Sequence, residues 1–187
     1  MRAGKSSRQA KPSNIRRAYR QGARKIEVES LDDVWAVRFA ESAKASVQQV
    51  LRKFGEVREI ATQRLFVVEL AKSAQQDELS AALTSLLDRG DVEFFKPVLR
   101  DPESRLQQIL TDEISVRFKK VPSAKDLKAV EKKYGVIVER RNEFVPSQFI
   151  VKTSRSIEED TLEVASRMDE AEEVEFAAPN FISEHRR

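Results

Sequence analysis

A Ser-His-Asp relay or an imidazole metal cluster in this chain would depend on one residue, His185, the only histidine among 187 residues. There are no cysteines, which excludes disulfides and thiolate metal sites. The remaining ionisable clusters are acidic, Glu158-Glu159-Asp160 and Glu170 to Glu173. The first fits the opening turn of a helix, where the dipole stabilises carboxylates. The second fits a solvated turn. Neither pattern needs a metal or pairs an acid with a base, so the chain reads as a non-enzymatic protein without a cofactor.

What must position any functional surface is a body with 40% hydrophobic and 35% charged residues. Its charge is unevenly spread. Residues 1–25 hold nine Lys/Arg and no acid, and the rest of the chain holds 25 bases against 31 acids. The basic leader, with Gly4, Ser6, Ser7, Pro12 and Ser13, reads as disordered. It fits a solvated tail, an organelle transit peptide or a nucleic-acid arm. No apolar h-region follows it, which argues against a secretory signal. No apolar run approaches the ~18 residues of a membrane span, and the cytoplasm is the simplest expected location.

Two copies of one pattern follow. In the first, Trp35, Val37 and Phe39 alternate as a half-buried strand. Val47, Val50, Leu51 and Phe54 form a helical stripe ended by Gly55 as a C′ residue. Strands are expected over Val57–Ile60 and Leu65–Leu70, the latter with Phe66, Val68 and Leu70 inward. A capping box at Ser73 then opens a helix with Leu79, Leu83 and Leu86, and Val92-Glu93-Phe94 closes the copy. In the second, Ile114, Val116 and Phe118 answer the first strand 79 residues on. Leu127, Val130, Tyr134 and Gly135 answer the first helix at 80, and Phe149 and Val151 answer Phe66 and Val68 at 83. A capping box at Ser156 opens a helix with Leu162, Ala165 and Met168, and Val174-Glu175-Phe176 recurs at 82. Six elements in one order at nearly one spacing indicate a duplication.

The β-α-β-β-α-β order predicts an α+β protein of two tandem ferredoxin-like units, each a four-stranded antiparallel sheet with two helices on one face. The expected boundaries are a leader at 1–25, units at 26–100 and 112–187, and a junction at 101–111 carrying a short helical turn through Leu106, Ile109 and Leu110. Each sheet then has a face without helices. In the first unit it is expected to show Ala36, Arg38, Leu65, Val67, Glu93 and Phe95. In the second it shows Ser115, Arg117, Gln148, Ile150, Lys152, Glu175 and Ala177. Leu65, Val67 and Phe95 fit either a docking surface or burial against the rest of the chain.

The terminal run Val174-Glu175-Phe176-Ala177-Ala178-Pro179-Asn180-Phe181 resembles the end of the propeptides of subtilisin-like serine proteases, the inhibitor I9-type prodomains. Lys133-Tyr134-Gly135-Val136 and the element order over about residues 112–187 agree with that family, and the first copy agrees more loosely. The resemblance implies a protein that inhibits such a protease or assists its folding, acting in trans or, within a longer precursor, in cis. It implies that the open sheet face docks on the enzyme through Leu65, Val67, Phe95, Arg117, Ile150, Lys152 and Glu175. It further implies that the tail Ala177, Ala178, Pro179, Asn180, Phe181, Ile182, Ser183, Glu184, His185, Arg186 and Arg187 leaves the sheet for the substrate cleft, its last arginines near the primary specificity pocket. The competing expectation is nucleic-acid binding through residues 1–25. The Gly-rich Lys/Arg-Gly-Phe core of an RNA-recognition motif is missing from Arg64-Leu65-Phe66-Val67-Val68.

Overall fold

The computed structural model describes residues 15–21, 24–71, 75–154 and 160–184. It is an α+β protein with antiparallel strand pairing and, among the described residues, four α-helices. The chain forms two compact units. One is built on Leu31–Phe95, and the other combines Arg16–Ser30 with Lys96–Arg187. This division differs from the expected one, because residues 26–30 and 96–100 belong with the second unit.

The first unit contains the later part of β2 (Arg24–Phe39), α1 (Lys44–Leu51), β3 (Gly55–Ile60), β4 (Leu65–Leu70), α2 (Gln76–Asp88) and the start of β5 (Val92–Arg100). Its strand order is β3-β4-β2-β5. Trp35 stands opposite Val68, and Val37 opposite Phe66. These side chains, with Val47 and Leu51 of α1 and Leu79, Leu83 and Leu86 of α2, form one buried cluster, so both helices cover the same sheet face. Each such side chain contributes about 2 kcal/mol by leaving water. α2 begins after Gln75, and the expected cap Ser73 lies outside the described residues.

Gly55 is not the left-handed C′ residue that its spacing suggested. α1 ends at Arg52, and Gly55 opens β3 opposite Leu70. A Cβ built on Gly55 would stand 1.9 Å from the Glu69 carbonyl oxygen, so glycine is required here for close backbone approach. Its counterpart Gly135 does cap its helix in the left-handed region, at φ 61°.

The second unit holds β1 (Ile15–Gln21), the first part of β2, the end of β5, β6 (Gln107–Phe118), α3 (Ala124–Tyr134), β7 (Val136–Arg141), β8 (Gln148–Thr153), α4 (Thr161–Asp169) and β9 (Val174–Glu184). Four of its strands run in the order β9-β6-β8-β7. Ile114 stands opposite Val151 and Val116 opposite Phe149, the pairs that Trp35–Val68 and Val37–Phe66 make in the first unit. Val130 and Tyr134 of α3 and Val164, Ala165 and Met168 of α4 complete this core. α3 starts with a capping box in which Ser123 and Asp126 exchange side-chain and backbone bonds, an arrangement that lowers the Asp126 pKa. α4 is capped by Asp160; the expected cap Ser156 lies outside the described residues.

The ends of the expected map need correction. Ile15–Gln21, Arg24 and Lys25 are strand rather than disordered leader, while residues 1–14 and 22–23 lie outside the described residues. The junction is a hairpin, not a helical turn. Asp101 Oδ1 accepts from the Ser104 N–H at 2.6 Å, the Ser104 hydroxyl at 2.8 Å and the Glu103 N–H at 3.0 Å. With Arg105 at φ 63°, this turn sends Gln107 and Gln108 back along Arg100 and Leu99.

Candidate functional site

β9 is where the structure departs most from the expected site. The chain does not leave the sheet at Ala177; it stays paired with β6 from Val174, opposite Phe118, to Glu184, opposite Gln107. Two irregularities shape it. The register shifts between Arg117 and Phe118, so Phe176 stands opposite Arg117 and Ala177 opposite Val116. Ala177 is thereby buried in the helix-side core, the reverse of the outward position expected for it. The second shift falls between Leu110 and Ile114, and Pro179 sits beside it, opposite Ile114, where the ladder is already interrupted.

Past the proline, specific bonds return the chain to the sheet. Asn180 accepts from the Thr111 hydroxyl at its carbonyl (3.0 Å) and from the Ser115 hydroxyl at Oδ1 (2.9 Å), and its Nδ2 donates to Glu113 (3.1 Å). Phe181 packs on Tyr19 with ring centroids 5.4 Å apart, beside Val28, Leu99, Leu110 and Leu162. Ala177, Ala178, Pro179, Asn180, Phe181, Ile182, Ser183 and Glu184 are thus sheet residues rather than a free tail, because β6 is long enough to pair them all. His185, Arg186 and Arg187 lie outside the described residues.

The docking-face residues separate by unit. In the first, Leu65 and Val67 are buried, and Phe95 packs into the helix-side core against Trp35 at 6.1 Å. Alternation breaks between Val92 and Phe95, both of which meet that core, while Phe94 lies under the Arg38 guanidinium at 4.7 Å. The expected first-unit docking surface is therefore corrected: Leu65 and Val67 are interior, and Phe95 is half-buried against the helix-side core. In the second unit, Arg117, Gln148, Ile150 and Lys152 are half-exposed and Glu175 is exposed. Charges on that face are matched: Arg117 to Glu175 at 3.0 Å, Lys152 to Glu139 at 2.6 Å, and Arg140 to Glu139 at 3.3 Å and Glu113 at 3.8 Å. The Glu139 carboxylate, accepting from the Lys152 ammonium, raises the Lys152 pKa.

One feature of this face carried no signal in the sequence. The loop joining β7 and β8 holds Phe144 at 91% exposure beside a depression of about 380 Å³ lined by Arg140, Arg141, Gln148 and Ile150. Hydrophobic periodicity marks buried residues, and it says nothing about an isolated aromatic in a turn.

Two of the arginines expected to serve a nucleic-acid arm, Arg17 and Arg20, are engaged within the second unit. Arg17 pairs with Asp160, and Arg20 pairs with Glu170 at 3.0 Å. Next to them Lys96, its side chain 21% exposed, donates to Thr161 Oγ1 and to the Thr111 carbonyl at 3.3 Å, with Asp160 at 3.9 Å. Burial lowers the Lys96 pKa, and Asp160 opposes that shift. This amine is held between the Thr161 hydroxyl at the start of α4 and the Thr111 carbonyl of β6, the position of a structural strut. Among the described residues, no cluster of three or more His, Asp or Glu is placed to hold a metal ion, and no helix is long and apolar enough to cross a membrane.

No family model matches the chain, and no curated protein matches it. Among solved structures, the small subunit of acetolactate synthase from Thermotoga maritima is similar over 82% of this chain and 96% of its own, at 13% identity and a TM-score of 0.27. A likeness that low carries no argument about fold or function.

Proposed function

We propose that this chain is a propeptide-like inhibitor and folding chaperone of a subtilisin-like serine protease, acting in trans or in cis, with its second unit making the contact. We read both units as ferredoxin-like, since β3-β4-β2-β5 and β9-β6-β8-β7 are the same order of equivalent strands with both helices on one face. The observation that carries the assignment is the contrast between the two remaining faces. Leu65 and Val67 are buried in the first unit, whereas Arg117, Gln148, Ile150 and Lys152 stand half-exposed in the second. A partner docking on a sheet face therefore meets the second.

The tail mechanism takes a different form from the one the resemblance implied. Entry of Phe181–Glu184 into a cleft requires peeling the end of β9 from β6 and breaking the Phe181–Tyr19 contact. Each ladder hydrogen bond lost costs about 1 kcal/mol net, so docking of the sheet face must come first. Arg17 and Arg20 already neutralise acids of the body, which does not favour the nucleic-acid reading.

The test is titration of a bacterial subtilisin with the full chain. Inhibition is expected, weakened at least tenfold by Ile150→Glu on the open face and also by removal of residues 185–187. Absence of inhibition at micromolar chain overturns the reading. Inhibition unchanged by the deletion discards tail entry and leaves face docking.

A further inference from the structure

The loop carrying Phe144 is built rather than slack. Asn142 Oδ1 accepts from the Phe144 N–H at 2.8 Å and from the Val145 N–H at 3.2 Å. The Asn142 N–H donates to the Gln148 carbonyl at 2.8 Å, and the Gln148 N–H to the Val145 carbonyl at 2.9 Å. Asn142 Nδ2 also reaches Gln148 Oε1 at 3.2 Å, and Arg141 Nε donates to the Pro146 carbonyl at 2.8 Å. A turn closed by this many bonds presents Phe144 with little conformational freedom left to lose, which favours an anchor side chain. Nothing in the unit's own core requires an aromatic at 91% exposure.

The hairpin is continuous with the open face, since Gln148 and Ile150 belong to both the depression beside Phe144 and the sheet surface. Its charges identify the occupant. Arg117, Arg140 and Lys152 are paired with carboxylates, whereas Arg141 makes no ion pair with a carboxylate among the described residues. Glu143 stands next to Phe144, and Glu113, Glu139 and Glu175 lie on the same face, so a phosphate backbone meets as many negative as positive groups.

We propose that the β7–β8 hairpin is a second anchor for the protein that docks on the open face, with Phe144 filling an apolar pocket of that partner and Arg141 meeting a carboxylate at the pocket's rim. The inference rests on the protease-binding reading. A rigid aromatic surrounded by matched polar groups is the composition of an interface hot spot. The hairpin adds specificity, because a partner lacking the pocket leaves Phe144 in water and one with a basic rim repels Arg141.

The experiment measures binding of the full chain to a bacterial subtilisin made inactive by replacing its nucleophilic serine with alanine, which leaves the cleft open, in parallel with binding to a short oligouridylate. Phe144→Ala is expected to weaken subtilisin binding at least tenfold and Phe144→Leu by less than threefold. Arg141→Ala is expected to weaken it about threefold and to flatten its salt dependence. Thermal unfolding should be unchanged in both Phe144 variants, since that side chain lies outside the core, and slightly lowered in Arg141→Ala, which also loses the bond to the Pro146 carbonyl and the contact with the Phe149 ring. Binding by the wild-type chain that Phe144→Ala leaves intact overturns the anchor and spares the proposed function. Failure of the wild-type chain to bind overturns both. Oligouridylate binding that is lost with Phe144→Ala, without an effect on subtilisin, overturns the protein anchor in favour of a base-stacking platform.

Discussion

Lys96 shows how one buried charge leaves a signature in solution. Burial lowers its pKa in the folded state, while the unfolded chain keeps a value of about 10.4. Below the folded pKa both states are protonated, and the fold bears the full cost of the buried charge. As pH rises through the folded pKa, the native state releases its proton first and stability grows until the unfolded pKa is reached. The unfolding free energy of the wild type should therefore rise relative to Lys96→Met as pH climbs on the alkaline side from the lowered folded pKa to the unfolded lysine pKa; a flat difference in urea melts would refute the assignment. Gly55 gives a steric counterpart. Gly55→Ala drives a Cβ into the Glu69 carbonyl and is expected to cost about 3 kcal/mol. Gly135→Ala, which strains a left-handed cap, should cost about 1–2 kcal/mol, so the order of the two urea midpoints tests the distinction. At this scale, alternation was readable wherever strands are regular, as at Trp35/Val37 and Ile114/Val116. It was unreadable at Phe176/Ala177, where a register shift reverses the faces, and at Phe94/Phe95, where alternation breaks.

Among the elements, β1 and β9 define each other. β1 carries Tyr19 onto Phe181 and places Arg17 and Arg20 against the acids Asp160 and Glu170. Tyr19 is buried, and Tyr19→Ala is expected to cost about 3 kcal/mol and to speed amide exchange from Phe181 to Ser183 more than in the rest of β9. Arg20→Ala, which removes an exposed pair, should cost less than about 1 kcal/mol. Equal exchange along all of β9 in Tyr19→Ala would show that β1 does not secure its end. The sequence displayed nine cations in its first 25 residues and an acidic remainder, but not which acids meet which arginines. Arg17 and Asp160 are 143 residues apart, a distance over which no local pattern operates. The extent of β9 was equally hidden. Proline normally ends a strand, and only the irregularity in β6 opposite Pro179 allows this one to continue.

For the molecule as a whole, the order of segments along the chain differs from their order in space. Leu31–Phe95 has its complete core in consecutive residues, whereas the second unit takes in Arg16–Ser30 from ahead of it. Synthesis on a ribosome turns that arrangement into a delay. The partners of Arg17 and Arg20 emerge 143 and 150 residues after them, which at roughly 5–20 residues per second means a wait of about 7–30 s. Through that interval the arginines face water, and any chain cut short before Asp160 keeps them there. Trypsin cleavage at Arg16, Arg17 and Arg20 therefore reports completion: rapid in nascent or truncated chains, slow once α4 and β9 are in place.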